Sequence, residues 1–142
     1  YAPPGRWAPE HVPIGRARTW GAGGDLTIAT FGNGLRMALR VAIRLRDEGI
    51  GVRVVDLRWL APLPIEDVLR EGQATGRLLV VDETRATGGI SEGLITGLLE
   101  AGFDGRLARI AGDDSFVPLG AAASLVLVSE QDVEDAARLL LS

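Results

Sequence analysis

Gly51-Val-Arg-Val-Val-Asp-Leu-Arg-Trp-Leu-Ala-Pro-Leu-Pro64, followed by Gly76-Arg-Leu-Leu-Val-Val-Asp-Glu83 and then Gly88-Gly89, decides how this chain folds. Each segment holds a short apolar run rich in β-branched residues, which reads as a buried strand. Each run leaves its sheet into a loop carrying charge, proline or glycine. In an open α/β sheet, ligands and partner surfaces gather at the carboxyl ends of the strands. The loops after Asp56 and Val81 are therefore the first places to look for function.

Outward from this stretch, strand and helix alternate from Asp25 onward. Leu26 to Phe31 reads as a strand, ended by Gly32-Asn33-Gly34. Leu35 to Asp47 has helical spacing, with Leu35, Ala38, Leu39, Ala42, Ile43 and Leu45 as its expected apolar face. Glu48-Gly49 is a helix stop, since glycine accepts the left-handed conformation at a C-terminal cap. Val52 to Leu57 is the next strand. A helix is expected over Ile65 to Glu71, with Glu66 and Asp67 at the positive end of its dipole. A strand over Leu78 to Val81, a helix over Ile90 to Ala101 and a strand over Leu107 to Ala111 follow. Leu125 to Val128 is either a fifth strand or an apolar lead-in. Ser129 with Asp132 three residues on makes an acidic capping box for a last helix over Val133 to Leu141. This alternation implies a three-layer α/β sandwich around a mostly parallel sheet of about five strands.

Residues 1–20 read as a Pro/Gly-rich arm or interdomain linker, and residues 21–142 as the domain. Prolines in the arm deny ladder donors and favour extended backbone, and Tyr1 in place of an initiator Met reads as a fragment. The chain has the apolar and charged balance of one ordinary globular domain. A net charge of -4 gives no electrostatic reason to expect nucleic acid. All 15 basic residues are arginine, which excludes lysine chemistry, and the absence of cysteine excludes thiol nucleophiles and disulfides. No apolar run approaches the ~20 residues that span a bilayer, and no signal-peptide core is present. A cytoplasmic location fits these features.

No constellation in the sequence makes a self-sufficient active site. Gly32-Asn-Gly34 after a strand, with Asp56 ending the next strand, approaches a dinucleotide-binding fingerprint. Met37 stands where its third glycine belongs, so the glycines read better as a tight turn needing positive φ. His11, the single histidine, lies in the arm with no orienting partner and reads as solvated or interfacial. Serines 91, 115, 124, 129 and 142 lack a nucleophile elbow. Asp82-Glu83 and Asp113-Asp114 could supply oxygen ligands to a divalent cation, but such pairs more often cap loops. Arg36, Arg40 and Arg44 form a basic stripe, either solvated and balanced by Asp47, Glu48 and neighbouring acids, or docked on an acidic partner.

The wording of the motifs adds what residue chemistry does not. Asp25-Leu-Thr-Ile-Ala-Thr-Phe-Gly32, Val54-Val-Asp-Leu-Arg-Trp-Leu-Ala-Pro-Leu63, Gly76 to Glu83 with Gly88-Gly89, and Gly112-Asp-Asp-Ser-Phe-Val-Pro118 occur in order from about Val12 to Leu141. Together they resemble the C-terminal domain of the transketolase family, most closely the beta part of thiamine-dependent 2-oxoacid dehydrogenase E1 components. Pro64 and Asp82 depart from the residues usual in that pattern.

The resemblance implies an assembly and interface domain of an enzyme that oxidatively decarboxylates a 2-oxoacid, not catalytic alone. It implies no catalytic residue, cofactor or metal held by this domain itself, with thiamine diphosphate and magnesium bound elsewhere in the parent enzyme. Arg58, Trp59, Asp82, Glu83, Gly88, Gly89, Asp114, Phe116 and Pro118 would lie at an interface or at the active-site entrance. The implied partners are other domains or subunits of the parent enzyme, a second copy in a homo-oligomer, and an acyltransferase core. Trp59 has two open readings, interface anchor and core packing. The alternatives are a transketolase or deoxyxylulose-phosphate synthase C-terminal domain, since fold does not fix substrate, and an independent nucleotide-binding or regulatory domain using the Gly32 turn.

Overall fold

In the computed structural model, which describes residues 11–142, the chain forms a five-stranded sheet with helices on both faces. The expectations for Tyr1 to Pro9 lie outside the described residues. The elements run β1 (Arg18–Trp20), β2 (Leu26–Thr30), α1 (Gly32–Asp47), β3 (Val52–Asp56), α2 (Ile65–Thr75), β4 (Arg77–Arg85), α3 (Ile90–Glu100), β5 (Arg106–Gly112), a short 3-10 helix (Gly120–Leu125) and α4 (Glu130–Leu141). The strand order is β1-β3-β2-β4-β5. β3, β2, β4 and β5 are mutually parallel, and β1 adds an antiparallel edge to β3. The three-layer, mostly parallel sandwich expected from the alternation is what forms.

Every residue of β2 is buried, because helices cover the sheet on both sides. On one face α1 and α4 enclose Leu26, Ile28, Val54, Leu79 and Val81. On the other, α2 and α3 enclose Ala29, Val55, Leu78 and Val80. Alternate residues of one strand thus feed different cores, as a period of two demands.

Three local expectations needed correction. The fifth strand is β1, within the segment read as an arm, and not Leu125 to Val128. That later segment leaves a 3-10 helix and joins no strand ladder, the Val126 carbonyl accepting the Asp113 N–H just past β5. The buried stripe of α1 is Met37, Ala38, Val41 and Leu45, with Leu35, Leu39 and Ala42 at its margin. Ile43, expected inside, is 49% exposed. The basic stripe finds its acids within the chain. Arg40 and Arg44 both bond Glu130, Arg44 also bonds Glu134, and Arg138 joins Glu134 to Glu48 at the end of α1. Exposed pairs are individually weak, but here six side chains lace the last helix to the first.

The bounds of α1 and α2 differ from the expectation, since α1 begins at Gly32 and not Leu35, and α2 runs on to Thr75 and not Glu71. Gly49 and Gly76 take positive φ just past α1 and at the end of α2, and Ser129 with Asp132 forms the complete capping box of α4.

Gly23 carries a different constraint, close approach. A Cβ there would lie 2.1 Å from the Gly51 carbonyl carbon and 2.2 Å from the Val52 nitrogen, both backbone atoms. Its neighbour Gly24 has open space. Gly23→Ala is therefore expected to destabilise the chain by on the order of 2 kcal/mol in urea unfolding. Gly24→Ala should stay within about 0.5 kcal/mol of the parent. Equal midpoints for the two variants would remove the close approach as a constraint.

Candidate functional site at the carboxyl edge of the sheet

β3 ends in a strained turn. Arg58 has φ +60, a conformation costing a residue with a side chain about 1–3 kcal/mol, and the Trp59 N–H closes the turn onto the Leu57 carbonyl. Asp56, 4% exposed, braces it by accepting the Arg58 N–H at 3.3 Å and lying 3.5 Å from its guanidinium. The acid that a dinucleotide fingerprint would turn toward a ribose thus serves its own loop. The Arg58 guanidinium is half exposed. Trp59 is half-buried and its ring N–H points at the Val12 carbonyl, 3.4 Å away. The indole therefore meets the segment entering the domain, which neither sequence reading anticipated.

The strand order reverses between β2 and β4, and the crevice outside their carboxyl ends is where an open α/β sheet takes a ligand. Here it is filled from within. The Glu83 carboxylate accepts the Asn33 N–H at 2.9 Å, at the first turn of α1. It lies so close over Gly32, itself at φ +55, that a Cβ there would overlap it. A helix N-terminus attracts anions through its free N–H groups and dipole, and this one already holds an anion. A pyrophosphate would have to displace Glu83. The glycines act as the tight turn that the sequence favoured.

Asp82 faces inward. It is fully buried and accepts the Thr84 N–H at 2.9 Å, the Thr84 hydroxyl at 2.6 Å and the Ser91 N–H at 2.7 Å. Burial pushes its carboxyl up, but the Thr84 hydroxyl and the Ser91 and Thr84 donors together outweigh burial and hold it below the usual carboxylate range. It ties the last residues of β4, which runs on to Arg85 and not only to Val81 as expected, to the first turn of α3. Gly89 completes this knot, since a Cβ would lie 2.5 Å from the Arg85 carbonyl oxygen and 2.7 Å from Asp82 Oδ2. Gly88 has φ +69 and donates its N–H to Glu92.

The loop after β5 is joined to the loop after β4, because Asp114 accepts both the N–H and the hydroxyl of Thr87. These bonds hold its carboxyl below the usual range, with Arg85 and Arg109 adding to the effect. Beyond Asp114 the chain turns apolar and outward. Phe116 is 97% exposed and Leu119 96%, Pro118 is exposed, and Val117, Leu125 and Leu127 continue the exposed apolar series. An open cavity of 580 Å³ beside Phe116 is lined by Arg85, Thr87, Asp114 and Ser115.

Of the nine residues singled out from sequence, all lie at this edge, and the structure sorts them. Arg58, Gly88, Asp114, Phe116 and Pro118 are exposed, Trp59, Glu83 and Gly89 are half-buried, and Asp82 is buried. Sequence reasoning missed Leu119 and Leu125, whose signal was an apolar run with no polar alternation among Gly, Ala and Ser. Among the described residues, no group of three or more His, Cys, Asp or Glu side chains is placed to hold a metal ion.

A family model described as "Transketolase, C-terminal domain" matches residues 15–133. The chain belongs to that family. The match begins at Gly15, ahead of the boundary read at residue 21.

Similarity to individual proteins agrees with this membership. The transketolase C-terminal domain described here is 31% identical over 133 residues to the pyruvate dehydrogenase E1 component subunit beta of Bacillus subtilis, covering 92% of this chain and 41% of that protein. It is 34% identical over 117 residues to the subunit of the same name from Rhizobium meliloti, covering 80% and 25%. The mitochondrial E1 subunit beta-1 of Arabidopsis thaliana is 34% identical over 130 residues, covering 89% and 35%. The chain thus spans about two-fifths or less of the curated relatives it matches. Among solved structures, a split-gene transketolase described as an inactive beta4 tetramer aligns with TM-score 0.82 and 26% identity, over 97% of this chain and 45% of that one. A 2-oxoglutarate:ferredoxin oxidoreductase from Magnetococcus marinus shares the fold at TM-score 0.65 and 18% identity, covering 89% and 20%.

The Asp82 knot gives this domain a testable keystone. Asp82→Ala leaves the Ser91 and Thr84 donors without their acceptor and is expected to cost about 1–3 kcal/mol. Hydrogen exchange should speed up first at residues 84–91. Unchanged stability in urea would show that the loop is held by something other than this carboxylate.

Proposed function

We propose that this transketolase C-terminal domain is the assembly and interface domain of a thiamine diphosphate-dependent 2-oxoacid dehydrogenase E1 component, an enzyme of oxidative decarboxylation, and performs no chemistry alone. The observation that carries the reading is the edge itself. Its carboxylates Asp56, Asp82, Glu83 and Asp114 brace backbone, while Phe116 and Leu119 stand almost fully exposed beside them. An apolar series of this kind marks a contact surface. Arg58 at the end of β3 and the loops at Gly88 and Asp114 to Pro118 make up the surface offered to neighbours. Asp82 and Gly89 act beneath it by fixing the β4 loop, and Glu83 by closing the crevice.

The likeness to E1 beta subunits supports this branch of the family. The partners are then the other domains or subunits of the E1 enzyme, a second copy of the chain and, further out, an acyltransferase core, in a cytoplasmic setting. No helix among the described residues is long and apolar enough to cross a membrane.

The residues present do not fit thiamine diphosphate with magnesium. The helix N-terminus at the crevice already carries Glu83, which a diphosphate would have to displace. Cofactor and metal belong elsewhere in the parent enzyme. The likeness to the split-gene transketolase supports a second reading, the C-terminal domain of a transketolase or deoxyxylulose-phosphate synthase. The filled crevice argues against an independent nucleotide-binding domain.

Purified chain supplied with thiamine diphosphate, Mg²⁺ and pyruvate is expected to show no decarboxylation above buffer. Measurable turnover would sink the assembly-domain reading. In sedimentation velocity, Phe116→Ser combined with Leu119→Ser should shift any self-associated chain toward monomer while leaving its circular dichroism unchanged. Identical sedimentation of parent and variant over a hundredfold concentration range would remove this surface from self-association.

A further inference from the structure

The segment that enters the domain crosses its surface before it joins the sheet, and a buried carboxylate grips it there. Asp67, in the first turn of α2, is 2% exposed. Its Oδ2 accepts Arg16 Nε at 2.9 Å and the Ala17 N–H at 2.8 Å, and its Oδ1 accepts the Arg16 Nη2 at 2.6 Å. This is the paired geometry in which an arginine meets a carboxylate most strongly. A second cation, Arg70 on α2 itself, bonds Oδ1 at 2.6 Å. Burial pushes the Asp67 carboxyl up, but the Ala17 amide with Arg70 and Arg16 more than offsets it, and the group stays below the usual carboxylate range.

Asp67 lies 51 residues from Arg16 and 50 from Ala17 in sequence, so this grip is a tertiary device. It is not the only tie. The Trp59 ring N–H reaches the Val12 carbonyl, and Gly15, at φ +75, is so close to Pro62 that a Cβ would lie 3.1 Å from its ring. The Arg16 N–H closes a turn back onto Pro13. Residues 12–17 thus lie as a strap over the loop from Arg58 to Pro62, locked at one end by Asp67 and touching Trp59 at the other.

That loop holds the one described residue with a side chain whose backbone sits at positive φ, Arg58. A strained conformation persists only where its surroundings over-determine it. Asp56 braces the turn from below through longer bonds of 3.3 and 3.5 Å. The strap meets the same loop at Trp59 and Pro62.

We propose that Asp67 is the latch of this strap, and that through the strap it positions the Arg58–Trp59 turn. The chain entering the domain and the loop at the end of β3 then move as one unit, so the direction of entry is coupled to the surface presented at the carboxyl edge. The coupling stands on contacts within the chain and does not depend on the enzyme to which the domain belongs.

Hydrogen exchange by mass spectrometry on the whole chain tests this through three windows: the strap at 12–17, the turn at 57–61 and β2 at 26–30. Asp67→Asn and Arg16→Ala are each expected to speed exchange at 12–17 and 57–61 at least tenfold while leaving 26–30 unchanged. The double variant should add little to either single one, because both remove the same bond. Arg70→Ala, which touches Asp67 but not the strap, should leave 12–17 protected. Arg16 is half exposed, so its variant keeps the test decisive even if Asp67→Asn folds poorly. Unchanged exchange at 12–17 in Arg16→Ala overturns the latch. Faster exchange at 12–17 with 57–61 unmoved overturns the coupling. Equal acceleration of 26–30 shows Asp67 to be a general stabiliser and overturns the positioning role.

Discussion

β2 meets water nowhere. All five of its residues are buried, two of them threonines, and the strand is sandwiched between β3 and β4 in the middle of the sheet. A strand in that position needs helices on both faces, and this demand organises the rest of the molecule. It splits the core into two clusters. It calls α4 back from beyond β5 to complete the face begun by α1. It also asks the buried hydroxyl of Thr27 for partners, which it finds in the Glu71 carbonyl and the Thr75 hydroxyl of α2. The ionic ladder between α1 and α4 then aligns helices that lie some ninety residues apart.

The same centrality shapes the edge where function is sought. With β2 innermost and the chain stepping first to β3 and then across to β4, the strand order reverses beside β2. A crevice results whether or not a ligand uses it. Glu83 fills it, Asp82 knots the loop beside it, and Asp56 braces the turn after β3. Asp56, Asp82, Glu83 and Asp114, acids that look from sequence like a reactive set, hold backbone instead. What stands exposed beyond them is the apolar series from Phe116 to Leu127.

Fold class was legible because the central strands are apolar throughout and the helices are periodic. β1 was not, because three residues flanked by glycine and alanine carry no usable period, and antiparallel pairing to β3 supplies their order. On α1 a shift of the buried stripe toward Met37 and Val41 escaped notice, since Ile43 is as apolar as either and only packing decides which faces the sheet. At the site, the loops could be placed because they end strands. The inward turn of Asp82 and the grip of Asp67 could not, because hydrogen-bond partners distant in the chain leave no mark on local spacing. Phe116 was picked out by a motif, whereas Leu119 and Leu125 needed the 3-10 segment to be seen unburied.

β5 is the outermost strand on its side of the sheet, and most of its residues are only partly covered. A border strand of this kind offers its backbone groups to any passing extended chain, the usual first step of aggregation. Arg106 and Arg109 stand exposed along it. Charge along this border strand works against such pairing, with Arg109 anchored on the Ala86 carbonyl, whereas the apolar series lies beyond the strand's end.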